Sequence, residues 1–537
     1  MQLTNNGLLK TQEWQAAGIA LPAFNREEVT QKTLSAPTWV HFGAGNIFRA
    51  FPAAVQQTLL EKGIEEKGIV VAEDYDYEII DRMNLPHDNL SLLVTLKADG
   101  STEKTVVGSV VEALKLDSEN PADFTRLKFI FETPGLQMAS FTITEKGYSL
   151  VRGNGELLPD VTEDFAGGPA APKSYIGKLA ALCLHRYQNG ATPLALVSMD
   201  NCSHNGTKLY NAVNAFATAW VKNGFADEGF AEYIQNPAKV SFPWSMIDKI
   251  TPRPDEGVQK MLEQLGFEEA AGLVTAKNTY VAPFVNAEET QYLVIEDSFP
   301  NGRPRLEEGG ILFTTRETVD KVEKMKVCTC LNPLHTALAV YGCLLGYTKI
   351  SAEMQDEELV KLVRQVGYTE ALPVVVDPGV LSPKEFIDTV INVRFPNPFM
   401  PDTPQRIATD TSQKLSIRFG ETIKAYLASA TLDVHSLRAI PLVLAGWCRY
   451  LLAVDDEGNA FAPSPDPLLA ELQPLLAGIT LGQAGPFHTR LQPILSNAAI
   501  FGVDLYAAGL GPLVEDYFAK LVAGKGSVRA TLQAVLG

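Results

Sequence analysis

At 537 residues the chain is longer than one hydrophobic core usually serves, so two large domains are expected. Apolar residues make up 46% and charged residues 20%, the balance of a chain that folds and not of a disordered one. The 45 basic and 63 acidic side chains leave a charge of −18, which argues against nucleic acid and anionic membranes as partners; the first 32 residues do not read as a signal peptide, and a cytoplasmic location is expected.

Residues 38–42 read as a short buried strand running into Gly43-Ala44-Gly45-Asn46 and then a helical pattern from Phe48 to Lys62. A second apolar strand, 69–72, ends at Glu73-Asp74. Strand, glycine turn, helix, strand and acid form the opening unit of a dinucleotide-binding sheet. Further strands are predicted at 92–96, 105–111, 138–144 and 194–199, as in a doubly wound sheet carrying a hairpin insertion. Residues 241–254 are rich in proline and charge, and a strand at 292–295 leads into the loop Phe299-Pro300-Asn301-Gly302-Arg303-Pro304. Beyond Thr315 the pattern turns to amphipathic runs at 319–345, 357–366, 413–430, 436–452 and 513–536. The fold class is therefore α/β, an N-terminal Rossmann-type doubly wound sheet over 1–305 and a mainly α-helical C-terminal domain over 306–537.

Gly43 and Gly45 permit a turn that brings backbone N–H groups against a pyrophosphate at a helix N-terminus. The third glycine of G-x-G-x-x-G is here Phe48, so the motif alone also fits a plain strand-to-helix turn. An acid closing the second strand accepts from the adenosine ribose and repels a 2′-phosphate; with Glu73 and Asp74 there and no arginine between them and Arg82, NAD is favoured over NADP. Six cysteines at no framework spacing fit a reducing compartment. Cys328, Cys330, His335 and Cys343 suggest a metal site, but the surrounding pattern is helical and residues two apart point about 200° away from each other, so buried thiols and no metal are expected.

Seven blocks, in order, carry a resemblance. They are Gly43-Ala44-Gly45-Asn46-Ile47-Phe48-Arg49, Thr142-Ile143-Thr144-Glu145-Lys146-Gly147-Tyr148, and Ser198-Met199-Asp200-Asn201-Cys202-Ser203-His204-Asn205-Gly206. Next come Phe242 to Pro252, Ile295-Glu296-Asp297 with Gly302-Arg303-Pro304, Lys326 through Asn332 to His335, and Arg406-Ile407 with Asp410 and Lys414. Together they resemble the long-chain mannitol dehydrogenase family of polyol and sugar-acid dehydrogenases, and the length looks more like its fructuronate reductase branch. The resemblance implies NAD as cofactor, a small sugar acid or polyol as substrate, no metal and an active site between the two domains; a monomer or small homo-oligomer is expected, the sequence not fixing which. It implies Lys326 as acid–base, Asn201, Asn332 and His335 around the reacting oxygen, Asp248 holding or relaying a proton, and Arg406 and Lys414 gripping the substrate. It also places Gly43, Gly45, Asn46, Phe48, Arg49, Glu73 and Asp74 at the cofactor.

The chemistry wants these groups. A metal-free alcohol oxidation needs a base against the hydroxyl, and a lysine serves only when neutral, which burial and neighbouring cations favour. Amide donors stabilise the alkoxide, and an arginine fork binds a carboxylate bidentately although it also holds hydroxyls. An isomerase that keeps NAD bound and returns the hydride would use the same parts. In the family pattern four residues separate lysine from asparagine; here there are five, which would turn Lys326 by about 100° unless a π-bulge or a break at 327–331 absorbs the extra one.

Overall fold

The computed structural model describes residues 1–537, which divide into two units: Met1–Lys97 with Ser101–Asp320, and Lys321–Gly537 with the turn Ala98–Gly100.

The first unit is built on six strands, β1 (Trp39–Phe42), β2 (Ile69–Glu73), β3 (Val110–Lys115), β4 (Met138–Phe141), β5 (Leu194–Ser198) and β6 (Val240–Ser241). They lie in the order β3-β2-β1-β4-β5-β6, each pair parallel. Strands 1, 2, 4 and 5 are buried at every residue, as expected of a parallel sheet covered on both faces. Alternation sorts the side chains. Val40, Phe42, Val70 and Ala72 pack with helices Pro121–Glu132, Tyr175–Gln188 and Asn205–Lys222. Trp39, Ile69 and Val71 face the other way, toward Phe48, Phe51 and helix Pro52–Glu61. The strand order reverses between β1 and β4, so the turn after β1 opens at the switch point where such sheets bind ligands.

Two readings need correction. The run 105–111 is not one strand: Thr102–Val107 pairs antiparallel with Ser91–Leu96, and after Gly108-Ser109 the chain starts afresh as β3. That hairpin belongs to a separate four-stranded sheet with Ile19–Ala20 and Phe284–Glu288. The apolar residues on either side of Gly108-Ser109 look alike in sequence, and periodicity alone does not show that they pair in different sheets. The proline-rich stretch 241–254 holds β6 and a further strand, Ser245–Asp248, paired antiparallel with Tyr292–Glu296. Leu312–Thr314 adds parallel to that strand, which is why the first unit runs past 305 to Asp320.

In the second unit the central pair is helix Asn332–Leu344 and the fully buried helix Ala439–Tyr450. The Tyr341 hydroxyl donates to the Leu442 carbonyl at 2.8 Å, where Gly446 leaves room for the ring. The span Arg316–Leu344 is long and apolar enough to cross a bilayer by composition, yet 78% of its most apolar window is buried inside the protein, as in a core helix. The run 413–430 is a 3₁₀ turn, a π turn (Ser416–Gly420) and helix Glu421–Ala428, and 513–536 is two helices split at Gly524 and Gly526.

Candidate active site

The turn after β1 needs both glycines, for different reasons. Gly43 has φ +106°, donates to the Ala72 carbonyl at 2.8 Å, and would place a Cβ 2.3 Å from the Thr142 carbonyl oxygen. Gly45 has an ordinary φ of −75°, but a Cβ there would meet nothing within 4 Å. It faces open space at the start of helix Asn46–Ala50, whose first N–H groups no side chain caps. An anion fits that opening.

Phe48 and Arg49 have their side chains in the core. The Phe48 ring lies 4.0 Å from the His41 ring, 8° from parallel, which is how β1 accommodates a large residue at the third glycine position. Arg49 donates to the Ala282 carbonyl at 2.9 Å, and burial holds it down at about 10. His41 is fully buried between Ser140 and Thr142 hydroxyls, and burial pushes its pKa down to about 3. Asn46 reaches the Pro252 carbonyl at 3.4 Å.

The two acids closing β2 differ. Glu73 turns inward, its carboxylate accepting from the N–H groups of Ala44 (2.7 Å), Tyr75 (2.9 Å) and Asp76 (3.2 Å), while burial pushes its pKa up. It builds the glycine turn. Asp74 lies at the tip, paired with Lys178 at 2.5 Å; burial raises its pKa, opposed by Lys178 and Lys277. Those lysines arrive from helix Tyr175–Gln188 and from the turn after Leu273–Val274, too far along the chain for a local motif to reveal.

Three segments meet beyond β4 and β5. The buried Asp200 carboxylate accepts from Ile143 and Thr144 N–H, each at 2.9 Å, and from the Tyr148 hydroxyl at 2.5 Å. Asn205, wholly buried, donates to the Ser198, Asp200 and Ser245 carbonyls and accepts from Ser245 N–H at 3.0 Å. It staples the end of β5 to strand Ser245–Asp248. The exposed Asn201 and the buried Asp248 thus belong to one stapled framework. Asp200, Tyr148 and Asn205 were not singled out from sequence, although they lie inside the quoted blocks.

In the second unit Lys326, 4% exposed, opens a π turn, Lys326–Cys330, closed by Leu331 N–H donating to the Lys326 carbonyl at 3.1 Å. The five-residue gap is absorbed there, as the spacing predicts. Asn332 starts the next helix, and three residues on, the His335 ring packs 5.1 Å from Phe395. His335 Nε2 is enclosed, makes no hydrogen bond, and lies 3.5 Å from Asp402. Burial depresses the imidazole to about 4; Asp402 opposes, while Arg418, Arg406 and Arg394 add to the fall. It is neutral at neutral pH. Arg406 is 62% exposed and ion-paired with Asp402. Lys414 donates to the Thr409 carbonyl at 2.6 Å, its pKa lowered by burial and by Arg418. Arg418 donates to the Thr336 hydroxyl, and burial holds it at about 10. Asp402, Arg394 and Arg418 also escaped the sequence reading; the repeated basic residues from 394 to 418 were the available signal.

No group of three or more His, Cys, Asp or Glu side chains is gathered as a metal ion would need. Burial pushes the Cys328 thiol up to about 11 and Cys330 higher, and all six cysteines are free.

A parallel sheet in this order, with a glycine turn and an acid at its switch point, defines the class of dinucleotide-binding Rossmann proteins. The family model of the mannitol dehydrogenase Rossmann domain matches residues 37–308 and that of the mannitol dehydrogenase C-terminal domain residues 318–514, so the chain belongs to the mannitol dehydrogenase family. It is 52% identical over 539 residues to the D-mannonate oxidoreductase of Thermotoga maritima, covering 100% of this chain and 99% of that protein. It is 31% identical to the mannitol 2-dehydrogenase of Pyrenophora tritici-repentis over 85% of this chain and 75% of that one. Among solved structures it resembles Pseudomonas fluorescens mannitol 2-dehydrogenase in ternary complex with NAD and D-mannitol, at a TM-score of 0.69 and 26% identity, covering 100% of this chain and 99% of the other.

Proposed function

We propose that this protein is an NAD-dependent oxidoreductase that interconverts D-mannonate and D-fructuronate. The observation that carries the reading is full-length identity of 52% with a D-mannonate oxidoreductase.

Bound NAD supplies the hydride acceptor, and NADH the donor. Gly43 N–H and Ala44 N–H are committed to the Ala72 carbonyl and to Glu73, so the backbone N–H groups at Gly45 and Asn46 would hold the pyrophosphate; Asp74 would take the adenosine ribose, with Gly43, Glu73, Phe48 and Arg49 supporting the turn. Lys326 removes the hydroxyl proton in oxidation and returns it in reduction, with Asp248 relaying it. Asn201 and Asn332 donate amide N–H to the developing alkoxide, each contributing about 2.7–4 kcal/mol if they act as oxyanion-hole donors do. His335, neutral and with Nε2 unsatisfied, bonds a neighbouring hydroxyl. Arg406 and Lys414 grip the carboxylate, and Arg394 and Arg418 add positive charge near His335. That concentration of guanidinium groups favours a sugar acid over a neutral polyol.

The small sugar-acid substrate, the acidic surface and six free cysteines suit a cytoplasmic enzyme, working as a monomer or small homo-oligomer. The test is NADH absorbance with D-mannonate, D-altronate and D-mannitol offered in parallel. Formation from D-mannonate supports the reading. Formation from D-altronate alone makes the enzyme a tagaturonate reductase, and from D-mannitol alone a mannitol 2-dehydrogenase. Conversion of sugar without net NADH makes it an isomerase.

A further inference from the structure

His204 is held in the left-handed region, φ +52° and ψ 42°, a conformation that β-carbon sterics disfavour. It stands directly before helix Asn205–Lys222, and although its carbonyl accepts from Thr207 and Lys208 N–H, its side chain makes no capping bond. Asn205 already ties this loop to the neighbouring strand, and a glycine or asparagine would fit the turn more easily. A strained residue kept where the fold does not require it points to a use for its side chain.

The ring is 51% exposed, so it adds little to the core. It stacks on the Trp244 indole, centroids 4.2 Å apart and planes 23° from parallel, and its Nε2 lies 3.2 Å from Asp320 Oδ1. Trp244 is itself fixed: its indole N–H donates to the Thr207 hydroxyl at 2.9 Å and its backbone N–H to Glu296 at 3.0 Å. Glu296 also accepts from Arg316 at 2.9 Å, and the Arg316 guanidinium lies 5.2 Å from the Trp244 ring. Arg316 and Asp320 are four residues apart on helix Arg316–Met325, hence on one face. Three chain segments therefore meet at this stack. His204 follows Asn201 by three residues, Trp244 immediately precedes strand Ser245–Asp248, and the helix bearing Asp320 runs on into the π turn at Lys326.

We propose that His204 is a positioning residue, clasping the Asn201 loop through Trp244 and Asp320 to the helix that leads to Lys326. The inference rests on the dehydrogenase reading above, but not on which of the three substrates the enzyme uses.

The experiment compares His204→Gly, which relieves the backbone while removing the clasp, with His204→Asn, which keeps both a left-handed turn and a donor for Asp320. Steady-state kinetics on the accepted substrate, NADH affinity from fluorescence titration and melting temperature are measured for each. His204→Gly is expected to lower kcat about tenfold, as misplacement of a catalytic group by a fraction of an ångström does, with NADH affinity unchanged and the melting temperature unchanged or raised. His204→Asn recovers most of the loss. A glycine variant with unchanged kcat, or one whose kcat, NADH affinity and melting temperature all fall together, overturns the inference. A wild-type protein that neither binds NADH nor turns over any of the three substrates overturns the dehydrogenase reading, and the inference falls with it.

Discussion

Lys326 is 4% exposed at the first residue of a π turn, and in the proposed reaction it is the acid–base. Lys326→Ala is predicted to lower kcat by about 10²–10⁴-fold, the range for a general acid–base, with NADH affinity retained. Equal loss of turnover and NADH binding would show a structural lysine instead. A second buried group sits outside the proposed chemistry. Glu353 is fully buried, neither carboxylate oxygen has a hydrogen-bond partner, and Cys343 and Asp356 lie near it. Burial first, then Asp356, pushes its pKa up to about 9 from an ordinary 4.5. A carboxyl whose folded pKa is raised contributes its stability fully below about pH 4.5 and loses it progressively as pH rises toward about 9. Glu353→Gln should therefore gain on wild type as pH rises, read as a larger difference in melting temperature at about pH 8.5 than at about pH 5.5. Parallel curves for the two proteins would refute it.

At the scale of elements, the glycine turn and the π turn were both legible, because each is dictated by local spacing. Residues 38–46 announce strand, turn and helix within a single stretch of chain, and the five residues between Lys326 and Asn332 leave an α-helix no way to keep register. Elements defined by distant partners were not legible. Ser245–Asp248 is a strand because Tyr292–Glu296 lies beside it, and Thr102–Val107 leaves the main sheet because Ser91–Leu96 captures it. The two turn glycines yield a contrasting pair of predictions. Gly43→Ala combines a positive φ with a clash against the Thr142 carbonyl and should cost about 1–3 kcal/mol of stability, measured by denaturant unfolding. A Cβ added at Gly45 meets nothing within 4 Å, so Gly45→Ala should cost less stability than Gly43→Ala while NADH affinity falls about tenfold, the added methyl narrowing the anion opening. A Gly45 variant that binds NADH normally would move the pyrophosphate elsewhere.

For the whole molecule, two domains and their classes followed from length and from the change of periodicity after Thr315, and both family models match. Local spacing pointed to the turn glycines, and family resemblance proposed Lys326, Asn332 and His335. Neither could find Lys178 and Lys277 beside Asp74, Asn205 beneath the Asn201 loop, or Arg394 and Arg418 around His335, because tertiary contacts bring those charges and staples together. In the proposed reaction substrate choice belongs to this scale, and the reading assigns it to the charge gathered in the helical unit. Arg406→Leu is predicted to lower kcat/KM for D-mannonate by about 10²-fold or more, with a much smaller change for any residual activity on D-mannitol, which has no carboxylate to lose. Equal losses on both would remove Arg406 from carboxylate recognition. The most direct test of the central claim is to follow the hydride itself. D-Mannonate carrying deuterium at the carbon to be oxidised is incubated with NAD and the protein, and the products are weighed by mass spectrometry. The account predicts one deuterium in the nicotinamide ring of NADH for each D-fructuronate formed; deuterium that stays in the sugar, with no NADH released, would contradict it.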